Sequence, residues 1–236
     1  MADPWSEIMM DATTNVAGEY TIERDDGRIE TLQVLDYIRP LLEWSESERL
    51  AIQHATGKVL DIGCGAGRVL LHLQNLGHEV VGIDLARGAI EACRSRGITE
   101  VHLMSAGEID FPDATFDTIV MFGNNFGILG SDDSIIDMLR TLHRITTPQG
   151  IILAGSLDAV KTNVQEHLDY HKMNILRNRP KGLIRLRVAY KGLVDEWTDL
   201  RLATPEEMAY LAEESGWSLE RKYQDGSQYV GILVKK

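Results

Sequence analysis

Short apolar runs recur at Val59 to Ile62, Glu79 to Ile83, Val101 to Met104, Thr118 to Phe122 and Ile151 to Ala154, and the stretches between them carry helical spacing. Short strands separated by helices need crossover connections, which place the strands parallel in an α/β fold with helices on both faces. After the fifth run the rhythm changes. A helical stretch from about Val160 to Arg177 precedes "LIRLRVAY", where apolar residues alternate with Arg185 and Arg187 as in a half-exposed strand. Thr204-Pro205-Glu206-Glu207 combines an N-cap, a first-turn proline and a capping glutamate, and opens a helix that ends near Gly216. Two last strands, Trp217 to Tyr223 and Gln228 to Val234, flank Asp225-Gly226, a hairpin signal that gives the parallel sheet an antiparallel end.

The signals before the first strand are weaker. Residues 1 to 30 show little periodicity and end at the turn signal Asp26-Gly27, so they read as an N-terminal arm or lid. From Thr31, the spacing of Leu32, Leu35, Ile38 and Leu42 predicts an amphipathic helix, and Ser45-x-x-Glu48 is a capping box for another. The expected organisation is an arm over 1–30 and a single domain over 31–236. That domain carries a small α/β cap insertion, about 157–203, after the fifth strand.

Composition narrows the function classes. Of 236 residues, 44% are hydrophobic and 25% charged, which is ordinary for a folded globular chain. A net charge of -12 argues against a surface built to embrace nucleic acid. The N-terminal "MADPWSEIMMDATT" has neither the basic start nor the apolar centre of a signal peptide, and no run approaches the roughly 18 apolar residues of a membrane span. Cys64 and Cys93 show no metal-ligand spacing and no disulfide framework, so a reducing, cytoplasmic setting is expected.

The chemistry concentrates in "VLDIGCGAGR", Val59 to Arg68. A dinucleotide fingerprint would place its third glycine where Arg68 stands, and a phosphate-cradling loop would continue into Gly-Lys-Ser or Gly-Lys-Thr, which is absent. What remains is G-x-G-x-G at Gly63, Gly65 and Gly67, either an ordinary tight turn or a place where backbone approaches a ligand. Asp84, closing "EVVGID" at the end of the second run, favours the ligand, because an acid there can accept both ribose hydroxyls.

With "VVGIDLARGAIEACRSRG" and "IDFPDATFDTIVMFGNNFGIL", these residues resemble the class I S-adenosylmethionine-dependent methyltransferases over about 50–156 and 204–236. The resemblance implies a Rossmann-like seven-stranded sheet with its last strand inserted antiparallel, and S-adenosyl-L-methionine as cofactor. It implies that Gly63, Cys64, Gly65 and Gly67 line the methionine part, that Asp61 holds the amino group, that Asp84 binds the ribose and that Leu85 packs near the adenine. Ser105 stands where many relatives carry an acid for the adenine amino group. Ala106 offers backbone contacts there, and Glu108 is a nearby acid. Tyr20 and Arg24 in the arm are expected to close over the cofactor.

In open parallel sheets the ligand lies beyond the carboxyl ends of the strands, which points to "FGNNFG", Phe122 to Gly127. Phe122 is assigned to the cofactor, and Asn124 and Asn125 either orient an acceptor or satisfy a turn. The prolines that follow this asparagine in enzymes methylating nucleobase or glutamine amino groups are absent, which lowers those substrates. His167 and His171 fall one helical turn apart with Tyr170 beside them, as a solvated cap face or with one histidine as a base; the zinc-protease pattern is missing and no metal is assigned. From Lys172 to Lys191 seven cations occur without an acid, namely Lys172, Arg177, Arg179, Lys181, Arg185, Arg187 and Lys191. They read as a solvated edge or, through Arg185 and Arg187, as recognition of an anionic acceptor. The expected activity is methyl transfer to a small molecule, an anionic one in the reading that uses Arg185 and Arg187. RNA or protein methylation through the basic stretch, or cofactor binding without catalysis, stand as alternatives.

Overall fold

Alternate residues of each central strand feed two different cores, so the runs are apolar throughout. In the computed structural model, which describes residues 3–236, the chain opens with α1 (Pro4–Thr13), β1 (Glu19–Arg24), β2 (Ile29–Gln33) and α2 (Glu46–Ala51). The parallel body follows as β3 (Lys58–Ile62), α3 (Arg68–Asn75), β4 (Glu79–Asp84), α4 (Arg87–Ser95), β5 (Val101–Leu103), β6 (Phe116–Met121), α5 (Asp132–Ile145) and β7 (Thr146–Leu157). Then come α6 (Gln165–Leu176), β8 (Leu183–Tyr190), β9 (Leu193–Val194), β10 (Thr198–Arg201), α7 (Pro205–Glu213), β11 (Trp217–Asp225) and β12 (Gln228–Lys235).

Seven strands form one sheet in the order β11-β12-β7-β6-β3-β4-β5. β7, β6, β3, β4 and β5 are parallel, and β12 runs antiparallel between β7 and β11. On one face Leu60, Ile62, Val81 and Ile83 meet Leu139, Leu142, Leu211 and Trp217 of α5, α7 and β11. On the other, Val59 and Val80 meet Leu70, Leu73, Ile90 and Cys93 of α3 and α4. At α7 the capping box is complete, with Glu207 N donating to Thr204 Oγ1 and Thr204 N to Glu207 Oε2.

A second sheet stands apart from this frame. β10, β8, β1 and β2 pair antiparallel in that order, with β9 added to β8. The N-terminal thirty residues, expected as an arm, supply α1 and the β1–β2 hairpin around Asp26-Gly27, and β1 pairs along β8 of the segment expected as a cap. The helix expected from Thr31 does not form. Thr31 and Leu32 belong to β2, Val34–Ile38 and Leu41–Glu43 are short 3-10 turns, and Leu42 is 84% exposed. Pro40 breaks the segment, and strand pairing with β1 overrides its helical spacing. Ser45 caps α2 through Glu48 N, but the Glu48 carboxylate turns to Arg68 rather than closing the box. Among the described residues, no helix is long and apolar enough to cross a membrane.

Candidate functional site

Beyond β3 the chain turns through Gly63 to Gly67, and its three glycines serve three different contacts. A Cβ on Gly63 would lie 2.4 Å from Asn125 Nδ2, and one on Gly67 would lie 2.6 Å from Ile98 Cδ1 and 2.9 Å from Cys93 Sγ. Gly67 therefore permits helix packing rather than ligand approach. Gly65 alone of the three faces looser space, with Met9 and Tyr37 at 3.4–3.6 Å from the position of its absent Cβ. Cys64 is buried with its sulfur toward Gly82 and 3.9 Å from Cys93 Sγ, so only its backbone is available on the loop.

Two carboxylates close this loop. Asp84 Oδ2 accepts from Gly65 N and Oδ1 from Ala86 N, both at 2.9 Å, which fixes the acid at the end of β4 against the glycine turn. Burial raises its carboxyl above the ordinary range, and the backbone donors of Ala86, Gly65 and Leu85 oppose that shift. Asp61, 3% exposed, accepts no hydrogen bond from the described residues. Burial pushes it up to about 7, with the Arg68 charge opposing and those of Asp84 and Glu48 adding. A buried carboxylate without a donor fits an ammonium group brought by a ligand.

The adenine-side assignments occupy the surface beyond β4 and β5. Leu85 is 69% exposed beside Asp84, an apolar side chain left for a planar partner. Ser105 Oγ accepts from Gly107 N, and Ala106 is buried behind it. Phe122 does not join them. It is 4% exposed and meets Trp44 edge-on at 6.3 Å, inside the core shared with α3 and α4.

In the loop after β6, Asn124 adopts a left-handed backbone at φ 71°, as a turn residue does. Asn125 Nδ2 donates to Ile62 O at 2.8 Å and Gly63 O at 3.2 Å, bracketing this loop to the glycine turn rather than offering its amide nitrogen to an acceptor. Over Gly65, Met9 of α1 and Tyr37 form a roof. Tyr37 and Tyr20 share a hydroxyl contact at 3.0 Å and both lie 6.2 Å from the Trp5 ring. Burial pushes Tyr20 up to about 12 and Tyr37 well above the usual tyrosine range, so both hydroxyls keep their protons at neutral pH. Met9 and Tyr37 were not anticipated. Asp3-Pro4 was the legible signal for α1: Asp3 accepts from Ser6 N as N-cap and Pro4 opens the helix.

The expected acceptor residues of the cap are engaged largely with the β1–β2 hairpin and with one another's neighbours. Tyr170 is 2% exposed, donates to Asp25 at 2.6 Å and accepts from Arg185 N at 3.2 Å, so its hydroxyl is spent on holding α6 to the β1–β2 turn. Arg24 does not close over the glycine loop; it stacks on the Tyr170 ring and pairs with Asp26. His167 contacts Thr162, and burial followed by neighbouring cations lowers the pKa of both His167 and His171. Four of the seven cations find acidic partners on folding: Lys172 pairs with Asp169, Arg179 with Asp199, Arg187 with Glu23 and Lys191 with Asp11. Arg187 also stacks on Trp197, while Arg185 is exposed.

Residues 59–150 match the family described as "Methyltransferase domain". A S-adenosylmethionine-dependent methyltransferase from Bacteroides fragilis, solved with S-adenosyl-L-homocysteine, superposes with TM-score 0.84 and 25% identity over 99% of this chain and 94% of that one. The ubiquinone biosynthesis O-methyltransferase of Ruegeria sp. (strain TM1040) is 26% identical over 190 residues, 77% of this chain and 69% of that protein. The malonyl-(acyl-carrier protein) O-methyltransferase of Yersinia pestis is 34% identical over 110 residues, 46% of this chain and 40% of that protein. The methyltransferase-domain match and the shared fold support a S-adenosylmethionine-dependent methyltransferase, with S-adenosylmethionine as the cofactor. The unpartnered Asp61, the anchored Asp84 and the looser space over Gly65 fit that group.

Proposed function

We propose that the chain transfers the methyl group of S-adenosylmethionine to a small organic acceptor held between the glycine turn, the loop after β6 and the roof of α1 and the second sheet. The buried Asp61 without a donor carries this reading, because it leaves one charge to be met by a ligand's amino group beside the ribose-ready Asp84. S-adenosylmethionine supplies a methyl already activated on a positively charged sulfur, so what the chain must provide is orientation and the exclusion of water. In this reading Asp61 holds the amino group, Asp84 the ribose hydroxyls, and Leu85, Ser105 and Ala106 frame the adenine. Met9 and Tyr37 shut water out above Gly65, and Asn125 keeps the two loops in register. The neutral tyrosine hydroxyls donate hydrogen bonds and take no proton.

A small acceptor is supported by the roof, which brings the second sheet down on the loop after β6: a Cβ at Gly127 would lie 1.8 Å from Arg201 O of β10. The O-methyltransferase names of the two curated relatives agree with an oxygen acceptor. Any anionic character of the acceptor rests on Arg185, since Glu23 already neutralises Arg187. Pairing of four of the seven cations speaks against docking of RNA through the basic stretch. The test is calorimetric titration with S-adenosylhomocysteine, NAD as control, followed by transfer of labelled methyl to a panel of small phenols, amines and carboxylates. Binding of the former alone with transfer to one chemical class is expected. Tight binding without transfer to any acceptor would replace catalysis by cofactor sensing.

A further inference from the structure

The chain has two cysteines, and folding brings them together. Cys64 of the glycine turn and Cys93 of α4 stand 29 residues apart in the sequence with their sulfurs 3.9 Å apart. A glycine backs each of them. A Cβ on Gly82 would lie 3.0 Å from Cys64 Sγ, and one on Gly67 would lie 2.9 Å from Cys93 Sγ, so a larger residue at either place would push a sulfur aside. Both thiols are buried in the core that Leu70 and Ile98 share with α3 and α4. Cys93 Sγ donates to Gly65 O at 3.3 Å, which leaves the Cys64 thiol as the donor between the two sulfurs. The contact with Cys93, then burial and the charges of Asp84 and Asp61, push the Cys64 thiol well above the usual range, so it stays protonated in the closed turn.

We infer that Cys64 and Cys93 form a reversible disulfide under peroxide, and that this bond loosens the hold of the glycine turn on its cofactor. A disulfide needs its sulfurs about 2.05 Å apart, so the pair must close by about 1.9 Å, which draws the turn and α4 toward each other. A disulfide also carries no proton. Gly65 O therefore loses its thiol donor whatever else shifts, in the residue whose N holds Asp84. One thiol takes an oxygen from hydrogen peroxide, giving a sulfenic acid and one water, and the other thiol displaces the sulfenic hydroxyl as a second water while the S–S bond forms. Buried, protonated thiols are slow nucleophiles, so the reaction proceeds when the turn opens locally, and a cofactor that keeps the turn shut protects the pair. The bond stands on the placement of the two thiols alone, whereas its effect on the cofactor rests on the assignment of the glycine turn to S-adenosylmethionine.

The full chain is treated with hydrogen peroxide and, in a separate arm, with diamide, then denatured, alkylated and analysed by mass spectrometry. A mass lower by two hydrogens, no alkylation of either cysteine and a linked peptide pair containing Cys64 and Cys93 are expected, all reversed by dithiothreitol. By calorimetry the oxidised chain is expected to bind S-adenosylhomocysteine about tenfold more weakly, and saturating S-adenosylhomocysteine is expected to slow the oxidation several-fold. Cys93→Ser keeps a hydroxyl donor for Gly65 O but forms no bond, so its affinity should not respond to the oxidant; should it fail to fold, Cys64→Ser serves as the same control. Cysteines still open to alkylation under conditions that fully oxidise glutathione, or conversion to sulfinic acid without a bond, overturn the disulfide. A bond that leaves the affinity unchanged, or an equal response in the serine variant, overturns its effect on the cofactor. Failure of the reduced chain to bind S-adenosylhomocysteine while the linked peptides still form sinks the cofactor assignment and leaves the disulfide standing.

Discussion

The glycine turn and the roof above it are built on opposite principles. The turn is local: Gly63 to Gly67, Asp61 and Asp84 lie within 24 residues of one another, and backbone donors fix the acid directly. The roof is assembled from distant segments. β1 pairs with β8 across more than 160 residues, Tyr190 and Lys191 fasten to Asp11 of α1, and Gly88 N donates to Ser6 Oγ to dock α1 on α4. A local device is set by sequence spacing, whereas an assembled one depends on long-range contacts and offers more places to be disturbed.

The sharpest test of this contrast is Asp84→Ala. It removes the proposed ribose acceptor and leaves Gly65 N and Ala86 N without their partner, so affinity for S-adenosylhomocysteine should fall about 100-fold, roughly 2.7 kcal/mol, by calorimetry. The sheet, fed by cores on both faces, should keep its circular dichroism. A loss of fold would mean that the turn is scaffold before it is a binding device.

Asp61 yields a pH signature of the same device. Its folded carboxyl sits near 7, above the unfolded value of 3.8, so it costs stability as pH rises through that interval, and the cost is complete above 7. Binding an ammonium group needs the ionised form. Affinity for S-adenosylhomocysteine should therefore rise about tenfold from pH 6 to 7.5, after subtraction of the ligand's own titration. Asp61→Asn should bind weakly and flatten the profile. A steep profile in that variant would assign the pH dependence to another group.

The same contrast explains what the sequence made legible. Five strands, the terminal hairpin and the capping box at Thr204 were readable because each is specified by residues adjacent in the chain. The placement of Asp61 and Asp84 followed from strand ends. The role of Asn125 did not, since an amide bridging to Ile62 O and Gly63 O is a contact between two loops with no spacing to announce it. Tyr170 misled for a similar reason: beside His167 and His171 it suggests chemistry, yet its hydroxyl is committed as a hydrogen-bond donor to Asp25, which β1–β8 pairing brings near. The run of cations likewise appeared unopposed because Asp11, Glu23 and Asp199 come from outside it.

An intermediate effect is expected from Gly88→Val. A Cβ there would lie 2.2 Å from Ser6 O, a backbone atom that yields only if α1 shifts. Overpacking of this kind costs about 1–3 kcal/mol, here divided between stability and the closure of Met9 over Gly65. S-adenosylhomocysteine should bind several-fold less tightly, with a faster off-rate by stopped-flow, while Asp84 still holds the ribose. Unchanged off-rates would mean that α1 covers the loop without retaining what lies beneath.

Tyr170→Phe should leave cofactor affinity untouched and thereby mark where the roof ceases to matter for binding. The substitution deletes a buried hydroxyl that serves as donor to Asp25 and as acceptor for Arg185 N, so the denaturation midpoint should drop by an amount equivalent to about 1–3 kcal/mol. Because those contacts tie α6 to the β1–β2 turn and to β8, the loss falls on the second sheet, and amide exchange should accelerate in Leu183–Tyr190 before it does in Lys58–Ile62. Methyl transfer measured at saturating cofactor separates the remaining possibilities. A rate preserved within about twofold assigns Tyr170 to the framework of the roof. A collapse of the rate with intact cofactor binding would bring α6 into the acceptor centre and dissolve the division between a local device and its distant cover.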